Sequence, residues 1–291
     1  MVHRESKSAG KLETPPPSPS LEEAIAKLRR LMAEARPPKG NATPTLEMQD
    51  PTLKAAIAAV AALPSAGNFV ALGAAYHQRG LLDQAHENYM HALRLNSRQA
   101  DAYDGLARVW RDWRLPHLSL GDAYRATYYA PDSAAAENTL GTVLQALGRR
   151  HDAREAYRIA SMLEPQAAYP LNNLCYLSFV EGNARQAIDE CQAAVRLDPQ
   201  LGAAHNNLAL IYAAVGRLDL ARTEFTQAGG AGVAAYNMGV VYLAQNQYAS
   251  AADEFDRAGL ADASMVDAAV RAREARRRVS AAPAASAGQN R

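Results

Sequence analysis

Leu72, Leu106, Leu140, Leu174 and Leu208 recur at intervals of 34 residues. Ala92, Ala126, Ala160, Ala194 and Ala228 keep the same interval, as do Pro131, Pro165 and Pro199. Gly80, Gly148, Gly182 and Gly216 fall in step, with Arg114 in the second slot. The small residues Ala85, Ser119, Ala153, Ala187 and Ala221 add a further column. A fixed period of this length marks a chain built from stacked supersecondary units. A single unit cannot bury its apolar face alone, so each packs against its neighbours. Hydrophobic residues make up 48% of the chain, but only 4 are Phe and 2 are Trp. Ala carries much of the remainder, and it is the strongest helix former. The units are therefore expected to be closely packed helices.

The residue types in these columns resemble the tetratricopeptide repeat family, whose unit is a pair of antiparallel helices. The first repeat, residues 66–99, matches the family pattern with Phe69, Leu72, Gly73, Tyr76, Ala85, Tyr89 and Ala92. The third, residues 134–167, matches with Leu140, Gly141, Ala153, Tyr157, Ala160 and Pro165. The fourth spans 168–201, the fifth begins at Gly202, and a sixth starts near Gly232 with Met238, Gly239, Tyr242, Ala251, Phe255 and Ala258. The resemblance covers residues 66–260 and implies an all-α fold: an α-solenoid of about six antiparallel helix pairs in a right-handed superhelix. Gly148 and its equivalents supply a left-handed cap after the first helix. Pro165 and its equivalents close the second.

Two repeats depart from the pattern. Arg114 and Pro116 in the second repeat predict a late start for its second helix. The fifth repeat ends early at Gly229 and Gly230, so Leu208 and Met238 are 30 residues apart and the stack should bend there. Outside the array, residues 1–19 read as disordered and 20–36 as an amphipathic helix opened by the Ser20/Glu23 capping box. Residues 37–49 read as a linker and 50–65 as a capping helix or half-repeat that starts with Asp50 and Pro51. The array then occupies 66–263, a second capping helix 264–279, and a disordered tail 280–291. Arg271, Arg273, Arg276, Arg277 and Arg278 give the second capping helix a basic end, either solvating its C-terminus or facing an acidic partner or anionic lipid.

The composition argues against several functions. The formal net charge is +1, so no global field favours nucleic acid. The start of the chain lacks the apolar core of a signal peptide, and the longest apolar run is too short for a bilayer. A cytoplasmic protein is expected as written, and a periplasmic or lipid-anchored one if the true start lies upstream. No phosphate loop, zinc spacing or dinucleotide turn occurs. His86 and His91 share a helix but point in different directions. Asp101, Asp104, Arg108, Arg111 and Asp112 read as a solvated charged face. Cys175 and Cys191 fall on the two helices of the fourth repeat, in columns that face each other. They read as buried thiols; a disulfide would need an oxidising compartment. No catalytic set, metal site or cofactor is expected.

The resemblance implies that the first helices line a concave surface, with positions two, five, six, nine and twelve pointing into it. The sixth position is Asn173, Asn207 and Asn237 in repeats four to six, and the fifth is Asn138, Asn172 and Asn206 in repeats three to five. An Asn side chain both donates and accepts, so it matches a peptide backbone. This arrangement resembles the asparagine ladder with which some repeat superhelices hold extended peptides, although the same residues also have a structural use between helices. Tyr169, Tyr176, Phe179, Leu210 and Tyr236 are the expected apolar neighbours. The acid-binding clamp of related chaperone-binding modules is missing, since Val70, Ala74, Gly105, Tyr169 and Asn173 occupy its positions. The expected function is a non-enzymatic scaffold that holds an extended protein or peptide segment in the groove of repeats three to six. The alternative is a structural assembly subunit, of the pilus- or secretion-accessory type, acting through its convex face or ends. Partner identity and oligomeric state are not legible.

Overall fold

The computed structural model describes residues 50–281. The expected helix at 20–36, the linker at 37–49 and most of the tail lie outside this range. Thirteen helices occur among the described residues, in the order α1 (Pro51–Ala62), α2 (Ala66–Gln78), α3 (Leu82–Leu95), α4 (Ala100–Asp112), α5 (Pro116–Tyr129), α6 (Ala134–Ala146), α7 (Arg150–Leu163), α8 (Ala168–Val180), α9 (Ala184–Leu197), α10 (Gly202–Ala214), α11 (Leu218–Ala244), α12 (Tyr248–Ala261) and α13 (Val266–Ala281). No strand is present in this range.

Local chemistry sets the helix boundaries. Asp50 caps α1 by accepting the Leu53 N–H at 2.9 Å, and Pro51 sits at the first helical position, where its missing N–H costs nothing. Ser65 and Ser133 cap α2 and α6 by the same kind of bond, each at 3.2 Å. The turns inside the helix pairs share one closure. The residue after the left-handed cap donates back to the carbonyl five residues earlier: Leu81 to Tyr76, Leu115 to Trp110, Arg149 to Leu144, Asn183 to Ser178, Arg217 to Tyr212 and Gln247 to Tyr242, at 2.8–3.0 Å. This closure needs a residue in the left-handed region. Gly80, Gly148, Gly182 and Gly216 provide it, while Arg114 (φ 61°) and Asn246 (φ 59°) adopt it without being glycine.

That geometry corrects one expectation. The second helix of repeat two does not start late: α5 begins at Pro116, in step with Leu82 of α3. Arg114 completes the turn in place of glycine, and Pro116 takes the first helical position. The C-terminal cap also differs in its boundary. α13 starts at Val266, after a turn in which Asp262 accepts the Ser264 N–H, and runs to Ala281. The break in repeat five falls where the sequence places it. Within α11 the helical geometry is lost at Gly229 and Gly230, and Gly230 has φ 83°. Gly202 is required nearby for a different reason: a Cβ there would lie 2.9 Å from the Ala228 carbonyl oxygen.

The core is a series of contacts between small residues and rings, repeated from unit to unit. In repeat one a Cβ on Gly73 would lie 2.8 Å from the Tyr89 ring, in repeat three one on Gly141 would lie 2.5 Å from Tyr157, and in repeat six one on Gly239 would lie 2.8 Å from Phe255. The eighth residue of each of these repeats is therefore glycine because the aromatic ring of the second helix occupies its side-chain space. Repeat four carries Cys175 and Cys191 in the same two positions, both fully buried, and they form a disulfide with Cα atoms 5.1 Å apart. The expectation of two free thiols is corrected. The columns bring the two Cβ atoms together across the helix pair, and small side chains there leave the room that a ring fills elsewhere.

Second helices are tied across alternate repeat junctions by ion pairs in matching positions. Arg154 of α7 reaches Glu190 of α9 at 3.6 Å and Glu181 at 2.6 Å. Arg222 of α11 grips the buried Glu254 of α12 with two bonds, at 2.7 and 3.0 Å. Glu254 accepts a third from Arg257 at 2.6 Å. A buried carboxylate needs such multiple donors to offset its loss of water.

Candidate functional site

First helices of successive repeats touch directly, at α2 with α4, α4 with α6, and α8 with α10. These helices line the face on which the candidate residues lie. Asn173 of α8 donates its side-chain N–H to Asn138 Oδ1 of α6 at 2.7 Å. Asn207 of α10 donates to Asn172 of α8 at 2.9 Å, and Asn237 of α11 donates to Asn206 of α10 at 3.3 Å. All six asparagines thus pair, the sixth position of one repeat with the fifth position of the repeat before. Each pair uses one amide N–H and one amide oxygen. The other edge of each pair keeps an oxygen on one residue and an NH2 group on the other, and all six side chains are half-buried. The asparagines therefore staple neighbouring helices and still present a donor and an acceptor, the pairing that a peptide unit requires.

The same column continues past the asparagines in both directions. At its C-terminal end Arg271 of α13 lies over the ring of Tyr236, 5.5 Å from the centroid. At its N-terminal end Asp104 of α4 holds the fifth position. One of its oxygens is buried, with Thr139 of the next repeat beside the carboxylate, and the other accepts from Arg108 at 3.3 Å. Burial pushes the Asp104 carboxyl above the usual carboxylate range, and the Thr139 side chain and the adjacent Arg108 offset only part of that. Sequence reasoning placed Asp104 on a solvated charged face. Its half-buried setting follows from its place beside the next repeat, a column position that the local charge pattern does not reveal.

The apolar candidates separate into two groups. Tyr176 and Leu210, with Val240, occupy the ninth position in repeats four to six and are 41%, 38% and 41% exposed. They form a stripe one helical turn from the asparagine pairs. In repeats one to three that position is held by Ala74, Arg108 and Thr142. Phe179 and Tyr236 instead pack inward. Phe179 lies against the cluster around Cys175, Cys191 and Leu208, and Tyr236 meets Phe255 edge-on at 5.4 Å. Tyr169 is half-buried and donates to Glu164 at 2.9 Å; burial and that carboxylate push its hydroxyl up to about 12. The first-helix face thus has an apolar half over repeats four to six and a polar, charged half over repeats one to three, where His77 pairs with Asp112 at 2.8 Å and Arg111 with Thr142 at 3.1 Å. No group of three or more His, Cys, Asp or Glu side chains is placed to hold a metal among the described residues. No helix in that range is long and apolar enough to cross a membrane.

No known family model matches the chain, and no curated protein matches it. Solved structures do. A chain of the APC/C hetero-tetramer Cut9-Hcn1 superposes with a TM-score of 0.64 at 17% identity over 77% of this chain, which spans 45% of the length of that one. PilF of Pseudomonas aeruginosa superposes with a TM-score of 0.57 at 20% identity, covering 73% of this chain and 96% of its own. A tetratricopeptide repeat protein from Parabacteroides merdae gives 0.58 at 15% identity, covering 87% of this chain and 98% of its own. At these identities the likeness speaks for the fold. Together with the repeated glycine–ring contacts and the 34-residue columns, it shows that this chain has the tetratricopeptide-repeat fold.

Proposed function

We propose that this protein is a binding scaffold that holds an extended segment of a partner protein along the first helices of repeats three to six. The observation that carries this reading is the row of paired asparagines, each pair with an unused donor and acceptor, running beside the exposed stripe of Tyr176, Leu210 and Val240. Backbone groups of an extended segment would pair with the amides, and its side chains would cover the stripe. Binding of this kind grips many sequences and draws its selectivity from the apolar contacts.

The test compares partner capture from native lysate by the wild type, by Asn173→Ala/Asn207→Ala, and by Leu210→Asp. The double variant also removes two inter-helix bonds, worth about 1 kcal/mol each, so circular dichroism must show it folded. Leu210→Asp leaves the asparagine pairs untouched. Loss of the same partner in both variants supports the groove; full retention in both refutes it.

A second reading has support of its own. Tyr128 and Met162 stand 78% and 70% exposed on second helices, and large exposed apolar groups commonly mark contact surfaces. PilF, and PilW, a type IV pilus biogenesis factor with a TM-score of 0.60, share the fold. An assembly role through the outer face would leave both groove variants fully competent and be abolished by Tyr128→Asp/Met162→Asp. The Cys175–Cys191 bond further favours work in an oxidising compartment, where disulfides persist.

A further inference from the structure

The groove reading leaves open what kind of segment fits, and the spacing and charge of the groove narrow the answer. Successive rungs of the asparagine column stand on successive first helices. Packed helices lie about 8–10 Å apart. A polyproline-II chain rises about 3.1 Å per residue and returns to the same face every third residue, a repeat of roughly 9 Å. Its backbone makes no internal hydrogen bonds, so its N–H and C=O groups are free for the open edges of the asparagine pairs. A β-strand fits less well: its same-face period of two residues covers about 6.7 Å, which falls out of step with the helices after one rung.

The column does not end in another asparagine. Its last rung is Arg271 over Tyr236, in which the guanidinium is cationic and can only donate. Arg271 is exposed, and no carboxylate lies within ion-pair distance of it among the described residues. Arg277, six residues on along α13, is likewise exposed and unpaired. Arg276 and Arg278, by contrast, are engaged with Asp256 and Glu274. Arg273 is exposed and unpaired as well, but of these free cations it is Arg271 that stands against Tyr236 at the end of the asparagine column.

Resting on the groove reading, we propose that the partner segment is a polyproline-II stretch with apolar side chains at every third residue, meeting Tyr176, Leu210 and Val240, and an acidic side chain at the α13 end, meeting Arg271. Selection of a random dodecapeptide library on the immobilised full chain tests this. Wild type should enrich three apolar residues spaced by three, with Asp or Glu about three residues beyond one end. Arg271→Glu should enrich Lys or Arg at that end instead. For one enriched peptide followed by fluorescence anisotropy, Asp→Lys at that end should weaken binding at least tenfold on wild type and recover it on Arg271→Glu, a swap that an unfolded variant cannot produce. Groove-dependent enrichment with a spacing of two, or with no acidic residue, or one unchanged by Arg271→Glu, overturns this inference and leaves the groove standing. Absence of any enrichment that depends on Asn173 and Asn207 overturns the groove reading and this inference with it.

Discussion

The disulfide of repeat four occupies the slot that a glycine and an aromatic ring share in repeats one, three and six, and that Ala209 and Phe225 share in repeat five, so a ring should be accepted best when the facing residue is trimmed with it. The perturbation is a double-mutant cycle of Cys175→Gly and Cys191→Tyr, run under reducing conditions so that the bond is absent throughout. Cys191→Tyr alone pushes a ring toward an existing Cβ. In the glycine repeats a Cβ at that position would stand 2.5–2.8 Å from the ring, so overpacking should cost about 1–3 kcal/mol. Cys175→Gly alone loses a buried side chain and places glycine within α8, costing about 1 kcal/mol from backbone propensity alone. Together the two changes rebuild the contact that Gly141 makes with Tyr157, and the pair should be favourably coupled by about 1.5 kcal/mol or more. Native-state hydrogen exchange of the α8 and α9 amides is the appropriate assay, because an array that unfolds piecemeal has no single global transition. Oxidising the parent chain should add roughly 3 kcal/mol over its reduced form, given the separation of 16 residues. If the two substitutions add within about 0.5 kcal/mol, the residues do not share one slot and the equivalence is wrong.

Two further substitutions follow from strained or buried positions. Arg114 adopts φ 61° where the other turns use glycine or asparagine, so Arg114→Gly should stabilise repeat two by about 1 kcal/mol, seen as stronger amide protection at the ends of α4 and α5. The raised carboxyl of Asp104 binds its proton more tightly in the folded chain than in the unfolded one. Its penalty is therefore absent below the unfolded carboxylate value of about 3.9 and grows as pH rises through the folded value. Asp104→Asn, which extends the asparagine column, should raise the urea midpoint at pH 7 by the equivalent of about 1 kcal/mol and leave it unchanged at pH 3; a loss at pH 7 would mean that the Arg108 pair outweighs the burial.

Most of the array was readable from the chain because tandem stacking writes the same packing problem into the sequence several times. Gly73, Gly141 and Gly239 solve one steric constraint, and the repetition makes the constraint visible without coordinates. What the period does not reveal is the bonding state or the geometry behind a column. The disulfide was hidden because its two cysteines fit the small-residue requirement of their column as thiols too, and nothing in composition distinguishes the two states. The start of α5 departs from expectation because proline and arginine resemble disruptions in sequence, whereas the turn needs only one left-handed residue and α5 has no use for the missing N–H. The groove asparagines were found as a column, but their mutual pairing depends on the offset between neighbouring first helices. A one-dimensional period fixes which residues are equivalent and says nothing about that offset.

The shortened fifth repeat shows which part of each unit the groove depends on. Four residues are missing from the end of its second helix, and Gly229 with Gly230 turns the chain back early. Asn237 nevertheless still reaches Asn206, across a sequence separation of 31 where the other two pairs span 35. The bond is the longest of the three, 3.3 Å against 2.7 and 2.9 Å, yet the column is unbroken, and Arg271 continues it onto Tyr236. First helices therefore keep their mutual offset even when the connection behind them changes length. Second helices, held by Arg154 with Glu190 and by Arg222 with Glu254, absorb the difference. A stack organised this way can vary its second helices while preserving a continuous row of amides along its first helices.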